Sequence, residues 1–339
     1  MEENKKILIT GASGFIGGYL VDEALEKGYE VWAGVRKNSS KENFQDKPVH
    51  FIDLRYDDRE ALIRQIRETV ELSGKWDYVI HNAGLTKTLN KQDFYKVNAE
   101  YTRHLIEALI AADCTPEKFV LMSSLSCFGP VREKSLQPIC ADDKPQPNTI
   151  YGKSKLAAEQ FLQQQNHFPY IILRPTGVYG PKDKDYLVEL QSINKGFDLK
   201  AGFKPQMLTF IYVRDLARAA MLAVENKTVR NKAYFVADGD VHTDAEFSKL
   251  VQQILGRKRV LNVRIPVWLT YCACLVSELA GKISGKPQTL NTDKFQILKQ
   301  RNWMCETVSI WEDLGFSANY NLEEGLYETI HFNKKMGWL

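Results

Sequence analysis

Long unbroken apolar runs are missing from this chain. Its most apolar stretch, Leu261–Leu279, is interrupted by Arg264, Pro266 and Glu278, and the roughly dozen apolar residues left are too few to span a bilayer. No transmembrane segment is therefore expected. Such a run reads first as a buried helix, with a helix lining an apolar pocket or resting on a membrane surface as the alternatives. Metal-ligand spacing is also missing. The six cysteines (Cys114, Cys127, Cys140, Cys272, Cys274, Cys305) contain a single Cys-x-Cys with no histidine beside it, so no metal site and buried, reduced thiols are expected. Charge of one sign is scarce: 45 Lys and Arg against 42 Asp and Glu leave +3. The basic residues are dispersed, which argues against a nucleic-acid partner. Internal repeats and low-complexity tracts are absent. The opening Met-Glu-Glu-Asn-Lys-Lys runs straight into a strand-like Ile7–Ile9. It has no signal-peptide shape, so a cytoplasmic protein is expected.

What is present is ordinary for a soluble enzyme: 339 residues, 44% hydrophobic and 26% charged, enough for one large or two ordinary domains. In the first half, strand-like runs (Lys6–Thr10, Tyr29–Val35, Val49–Asp53, Tyr78–His81, Lys118–Ser123, Tyr170–Leu173) alternate with helical stretches. The latter include Phe15–Lys27, a helix capped by Asp57 or Asp58, Val97–Ala112 and Thr149–Asn166. Alternation at this spacing means βαβ units and a parallel sheet, an α/β doubly wound fold. After Pro175 the pattern loosens. Thr243–Glu246 and Asn321–Glu324 have the spacing of helix-capping boxes. A first domain over residues 1–180 is expected, followed by a smaller, mostly helical substrate domain over 181–339. The division is discontinuous, because a strand near 233–237 returns to the sheet.

Two motifs carry chemistry. Gly11-Ala-Ser13-Gly14-Phe15-Ile16-Gly17 lies between the first strand and the first helix. There glycine permits a tight turn and close backbone approach to a pyrophosphate, while the helix N-terminus offers free N–H groups. Tyr151-Gly-Lys-Ser-Lys155 places a phenol and an ammonium one helical turn apart. An ammonium there is expected to pull the phenol's pKa down from about 10, suiting Tyr151 to general acid/base work.

With these motifs in place the chain resembles the extended branch of the short-chain dehydrogenase/reductase superfamily. That branch includes epimerase/dehydratase enzymes, dihydroflavonol-4-reductase-like enzymes and 3β-hydroxysteroid dehydrogenases. The likeness continues through Asp53-Leu54, His81-Asn-Ala-Gly84, Val97-Asn98, Ser123-Ser124, Arg174–Pro181 and Val213–Ala217. It implies a Rossmann sheet and a nicotinamide cofactor. Tyr151 resembles the family's acid/base, Lys155 the residue that tunes it and binds the nicotinamide ribose, and Ser124 the hydroxyl that holds the reacting oxygen. Ser123 and Ser126 read as strand-end hydroxyls, and His81 as a residue of the sheet core. Asn98 matches a position that supports the lysine, although a helix cap is an equal reading. Asp53 and Leu54 resemble the pair at the adenine, Ala83 and Gly84 the floor beneath the adenosine ribose, and Pro175–Val178 the segment at the carboxamide.

Enzymes that use NAD end the second strand in an acid. Here that place holds Val35, followed by Arg36 and Lys37, and a guanidinium suits a ribose phosphate. NADP(H) is therefore expected over NAD(H). Nucleotide-sugar epimerases carry an arginine shortly before the Asp of Val-x-Asp; this chain has Leu208 there, and Tyr212 where those enzymes usually have histidine. A hydroxyl or carbonyl of a relatively apolar small molecule, steroid-like or flavonol-like, is the expected substrate. Trp268, Leu269 and Tyr271 are suited to cover a ring system. A nucleotide-sugar enzyme, with Arg174 or Arg214 replacing the missing arginine, is the alternative. A non-catalytic NADP-binding sensor is a second alternative, and a homodimer is left open.

Overall fold

The computed structural model describes residues 4–339. Short runs that are apolar on both faces belong inside a parallel sheet covered by helices on either side. The early runs form β1 (Lys6–Thr10), β2 (Glu30–Gly34), β3 (Val49–Ile52), β4 (Tyr78–His81), β5 (Lys118–Met122) and β6 (Tyr170–Pro175). Shorter strands follow: β7 (Gly177–Tyr179), β8 (Phe197–Ala201), β9 (Met207–Leu208) and β10 (Phe210–Tyr212). The last are β11 (Lys232–Val236), β12 (His242–Thr243), β13 (Leu261–Ile265) and β14 (Asn302–Trp303). Seven of these make one sheet in the order β11-β6-β5-β4-β1-β2-β3, and every pairing in it is parallel. The order reverses at β1. The chain runs outward through β2 and β3, then returns to β4 on the other side of β1. A crevice at such a reversal, outside the carboxyl ends of the strands, is where an open α/β sheet holds ligands.

The helices in chain order are α1 (Phe15–Glu26), α2 (Arg59–Ser73), α3 (Gln92–Tyr95), α4 (Tyr101–Ala111), α5 (Ile150–Gln163) and α6 (Asp185–Asn194). They continue with α7 (Val213–Glu225), α8 (Asp244–Leu255), α9 (Val267–Ser284), α10 (Thr292–Lys299), α11 (Val308–Leu314) and α12 (Leu322–Lys335). Leu20 and Val21 of α1, the alanine-rich face of α7 and Ile310 of α11 cover the sheet face that presents Ile7, Ile9, Val120 and Leu173. Leu62 and Ile66 of α2, Leu105 and Leu109 of α4, and Ala158 and Leu162 of α5 cover the face of Leu8, Val79, Phe119 and Ile172. Each fully buried leucine, isoleucine or valine among them stabilises the fold by about 1.5–3 kcal/mol before entropy is counted. A further core lies beyond the sheet, where Tyr179, Phe210 and Tyr212 meet Leu190 of α6, Phe247 of α8 and Leu326 of α12. Both capping boxes form, at Thr243/Glu246 and Asn321/Glu324.

Two expectations are corrected. The Leu261–Leu279 run is not one buried helix. It is a strand, β13, then α9 after Pro266, and Trp268 (68% exposed), Val276 (68%) and Ile283 (89%) of that helix face solvent. Cys272 is exposed with them. An apolar run is buried only if something packs over it, and α9 packs chiefly on α10. The helix expected from Val97 instead begins at Gln92 and passes through a π-helical turn, Lys96–Glu100, into α4.

Candidate active site

Because the seven strands are parallel, their carboxyl ends line one edge, and the residues singled out in the sequence follow one another along it. Asp53 and Leu54 follow β3, Arg36 and Lys37 follow β2, and Gly11 follows β1. Ala83 and Gly84 come after β4, Ser124 after β5, and Pro175 closes β6 with Val178 just beyond in β7.

The glycine turn has no room for side chains. Gly11 has φ +65°, and a Cβ there would stand 2.8 Å from the Cα of Ala83. A Cβ on Gly17 would stand 2.1 Å from the carbonyl oxygen of Gly11. Gly14 starts α1 with extended backbone and no side-chain cap, and the first turn of α1 carries no acid. The turn from Gly11 through Ser13, Phe15 and Ile16 to Gly17 therefore offers uncapped N–H groups and a helix dipole, a fit for a dinucleotide pyrophosphate. Across β1, the N–H of Ala83 donates to Thr10 Oγ1 at 3.1 Å, which ties the segment after β4 to the turn. At the far end Arg36 and Lys37 are exposed. Arg36 pairs with no carboxylate among the described residues, while the Asp53 carboxylate accepts from the Lys37 N–H at 2.9 Å. Leu54 is buried beside it.

Tyr151 and Lys155 ride on the first turns of α5, and that helix comes very close to the segment after β5. A Cβ on Gly152 would lie 2.3 Å from the Ser126 carbonyl, so the glycine between Tyr151 and Lys155 allows the approach. The Ser124 hydroxyl interacts with the Tyr151 phenol and favours its ionised form, but burial prevails and raises the phenol's pKa above its ordinary value. Lys155 is buried, its Nζ donates to the Met122 carbonyl at 2.9 Å, and burial pulls its pKa down to about 8. This corrects the expectation of a phenol drawn down by the lysine. The ammonium is engaged by the end of β5, and desolvation governs the phenol. Ser126 donates its N–H to Ser124 Oγ at 3.1 Å, and buried Ser123 donates to Glu159.

Asn98 sits in the π-helical turn and caps no helix, which removes that reading. Its Oδ1 accepts from the Leu85 N–H at 2.7 Å, and its Nδ2 donates to the Leu85 carbonyl at 3.1 Å and to Ser154 Oγ at 2.9 Å. A Cβ on Gly84 would meet Asn98 Oδ1 at 3.0 Å and Lys155 Nζ at 3.1 Å. Asn98 thus clamps the loop after β4 against α5, and a π turn is a common device at functional sites. His81 is buried between Thr10 and Thr102.

Sequence reasoning missed Asp293, at the start of α10. Its carboxylate accepts from the N–H groups of Ile150, at 2.7 Å, and Tyr151, at 3.3 Å. Thr149 Oγ1 accepts from Gly152 at 2.8 Å, so the first turn of α5 is fully answered. No local pattern announces a carboxylate from so distant a segment. The arginines weighed as replacements for the one missing at Leu208 lie elsewhere. Arg174 is buried in an ion pair with Glu159 at 2.7 Å, its guanidinium over Phe128 and Phe235. Arg214 is 3.7 Å from Glu328 of α12, in a groove with Phe15, Tyr19 and His331.

Comparison with known proteins agrees with this geometry. The chain is 25% identical to the ceramide reductase of Caulobacter vibrioides, over 98% of this chain and 96% of that protein. It is 24% identical to the decarboxylating sterol-4-alpha-carboxylate 3-dehydrogenase of Dictyostelium discoideum, over 96% of this chain and 99% of that one. Among solved structures, UDP-glucose 4-epimerase of Thermotoga maritima with UDP-glucose superposes with a TM-score of 0.76 at 23% identity, covering 98% of this chain and 99% of that one. The NAD dependent epimerase/dehydratase family matches residues 7–237. A parallel sheet reversing at a glycine turn, with that match over more than half its length, makes this chain a member of the NAD dependent epimerase/dehydratase family, a nicotinamide-dependent enzyme of the extended short-chain dehydrogenase/reductase type.

Proposed function

We propose that this enzyme moves hydride between its nicotinamide cofactor and a hydroxyl or carbonyl of a relatively apolar small molecule, steroid-like or flavonol-like. The observation that carries the substrate reading is the state of the arginines. Leu208 occupies the place where nucleotide-sugar enzymes hold a diphosphate, Arg174 is committed to Glu159 in a buried pair, and Arg214 faces Glu328. A diphosphate desolvated without a cationic partner is strongly disfavoured. Two relatives are named for ceramide and for a sterol carboxylate, which supports an apolar substrate.

The bound nicotinamide supplies hydride chemistry at its C4 carbon. Gly11, Ser13, Gly14, Phe15, Ile16 and Gly17 would hold the pyrophosphate. Asp53 and Leu54 would hold the adenine, Ala83 and Gly84 its ribose, and Pro175–Val178 the carboxamide. Lys155 would bind the nicotinamide ribose, and Asn98 braces the loop against which the lysine lies. Tyr151 is the acid/base: its phenol is protonated, and Ser124 beside it favours the ionised form and so the proton's passage to the oxygen of a reduced carbonyl. Ser124, beside that phenol, holds the same oxygen. NADP(H) is favoured over NAD(H) because the exposed side chains of Arg36 and Lys37, without a carboxylate partner among the described residues, stand where an acid would grip a ribose hydroxyl.

Calorimetric titration of UDP and of dTDP into the NADP-loaded enzyme tests the substrate reading, together with a panel of apolar ketones assayed with NADPH. Turnover of ketones without nucleotide binding is expected. Micromolar binding of either nucleotide assigns the protein to nucleotide-sugar chemistry instead.

A further inference from the structure

The structure leaves an apolar surface uncovered on the side of the molecule that carries α9. Trp268, Val276, Leu279 and Ile283 recur three, four and eight residues apart along that helix, and all are more than half exposed. The opposite face, with Thr270, Cys274 and Gly281, is the buried one. The only acid on α9, Glu278, is turned inward: it pairs with Lys91 at 3.3 Å and accepts from Thr292. The surface extends onto the parallel ribbon β8–β13. There Asp198 and Lys200 point into the protein toward Ser248, while Phe197 (49% exposed), Leu199 (55%) and Leu261 (59%) point out. Phe203, 70% exposed, shares with Trp268, Tyr271 and Phe295 an open apolar trough that joins ribbon to helix. Patches of this extent on a folded protein mark binding surfaces.

We propose that this face docks on the surface of an anionic lipid bilayer. The charge distribution selects that occupant. Between Lys195 and Lys204, and between Gly256 and Lys286, every exposed charged side chain is Lys or Arg, with Arg257, Lys258 and Arg259 consecutive at the head of β13. Apolar side chains flanked by cations match an acidic membrane interface. A second copy of the same face would set these cations against one another. Insertion is shallow, for no helix among the described residues is long and apolar enough to cross a membrane. The docked face is also close to the chemistry: Tyr271 of α9 packs on Phe295 of α10 at 5.1 Å between ring centroids, and Asp293 of α10 holds the N–H of Tyr151. On the reading of an apolar substrate given above, the bilayer is then its source.

Flotation of the full chain with phosphatidylcholine vesicles, with and without phosphatidylserine, tests the proposal. Binding to the phosphatidylserine vesicles, about tenfold above the neutral ones and weakened by salt, is expected. The double substitution Val276→Glu with Ile283→Glu lowers it about tenfold or more. Both sites are exposed, so an unchanged melting temperature certifies the fold. Replacing Arg257, Lys258 and Arg259 together by Ala abolishes the preference for phosphatidylserine. Absence of binding to either vesicle, or binding that ignores both sets of substitutions, overturns the proposal. So does self-association in sedimentation that the double Glu variant dissolves, which assigns the face to a second copy. The readout needs no substrate, so its failure and that of the substrate reading are separable.

Discussion

The Tyr151 phenol is acted on by two opposing effects. Ser124 favours the ionised form, while burial beside Phe94 of α3 favours the neutral one and prevails. The phenol therefore enters a carbonyl reduction protonated, and Ser124, which favours the ionised form, is the neighbour that eases the proton's departure. Tyr151→Phe should therefore lower kcat by about 100-fold or more while the dissociation constant for NADPH, measured by fluorescence titration, stays within about twofold. Near-normal turnover in that variant removes Tyr151 from the acid/base role. Arg36 is the second residue whose chemistry decides something. Exposed and unpaired among the described residues, its guanidinium is free for a ribose phosphate. Arg36→Ala should raise the KM for NADPH about tenfold or more, the worth of a charge-assisted hydrogen bond, and leave the KM for NADH unchanged. A preference for NADH in the parent enzyme, kept in the variant, defeats the assignment.

At the scale of the element, α5 is the part on which the site depends. Its first turn carries Tyr151, its second Lys155, and its N–H groups are satisfied by Thr149 and by Asp293 from α10. Asp293→Ala leaves two N–H groups without that acceptor and withdraws a negative charge from the helix N-terminus. A stability loss of about 1–2 kcal/mol in urea unfolding is expected. A several-fold fall in kcat with little change in the KM for NADPH should accompany it, because Asp293 holds the segment bearing Tyr151 and does not touch the lysine. Asp293→Asn keeps an oxygen acceptor and should restore most of kcat. Equal kcat in all three proteins would leave Asp293 a purely structural cap.

For the whole molecule, buried titrating groups set how stability follows pH. His81 bridges β1 and α4 through Thr10 and Thr102, and burial, helped by Lys155, pulls its pKa from 6.5 to about 3. Between those values the unfolded chain binds a proton that the native one does not. His81 therefore costs stability as pH falls through that window, by at most about 1.4 kcal/mol per pH unit. Asp183 and Glu189 act with the opposite sign, since burial raises their carboxyls to about 6 and about 7 and their contribution declines as pH rises toward neutrality. His81→Gln, less stable than the parent at pH 7 through its altered hydrogen bonds, should show a shallower loss between pH 6 and pH 4 in urea midpoints. Parallel curves for the two proteins refute the role.

The sequence by itself determined the alternation of strand and helix, the glycine turn, the Tyr151/Lys155 spacing and both capping boxes. Each is short-range: hydrophobic period, turn chemistry and helical geometry act within a few residues. Tertiary structure decided what depends on distant neighbours. The bond from Asp293 to Tyr151 joins segments 142 residues apart, and the pair that withdraws Arg174 joins a strand of the sheet, β6, to a helix covering it, α5. Lys155 donates to the carbonyl of Met122 at the end of β5, a partner 33 residues away in sequence that helical spacing does not reveal. Leu261–Leu279 shows the divide most clearly. Its apolar composition is written in the chain, but whether such a surface is buried depends on what packs against it, and over most of α9 nothing among the described residues does.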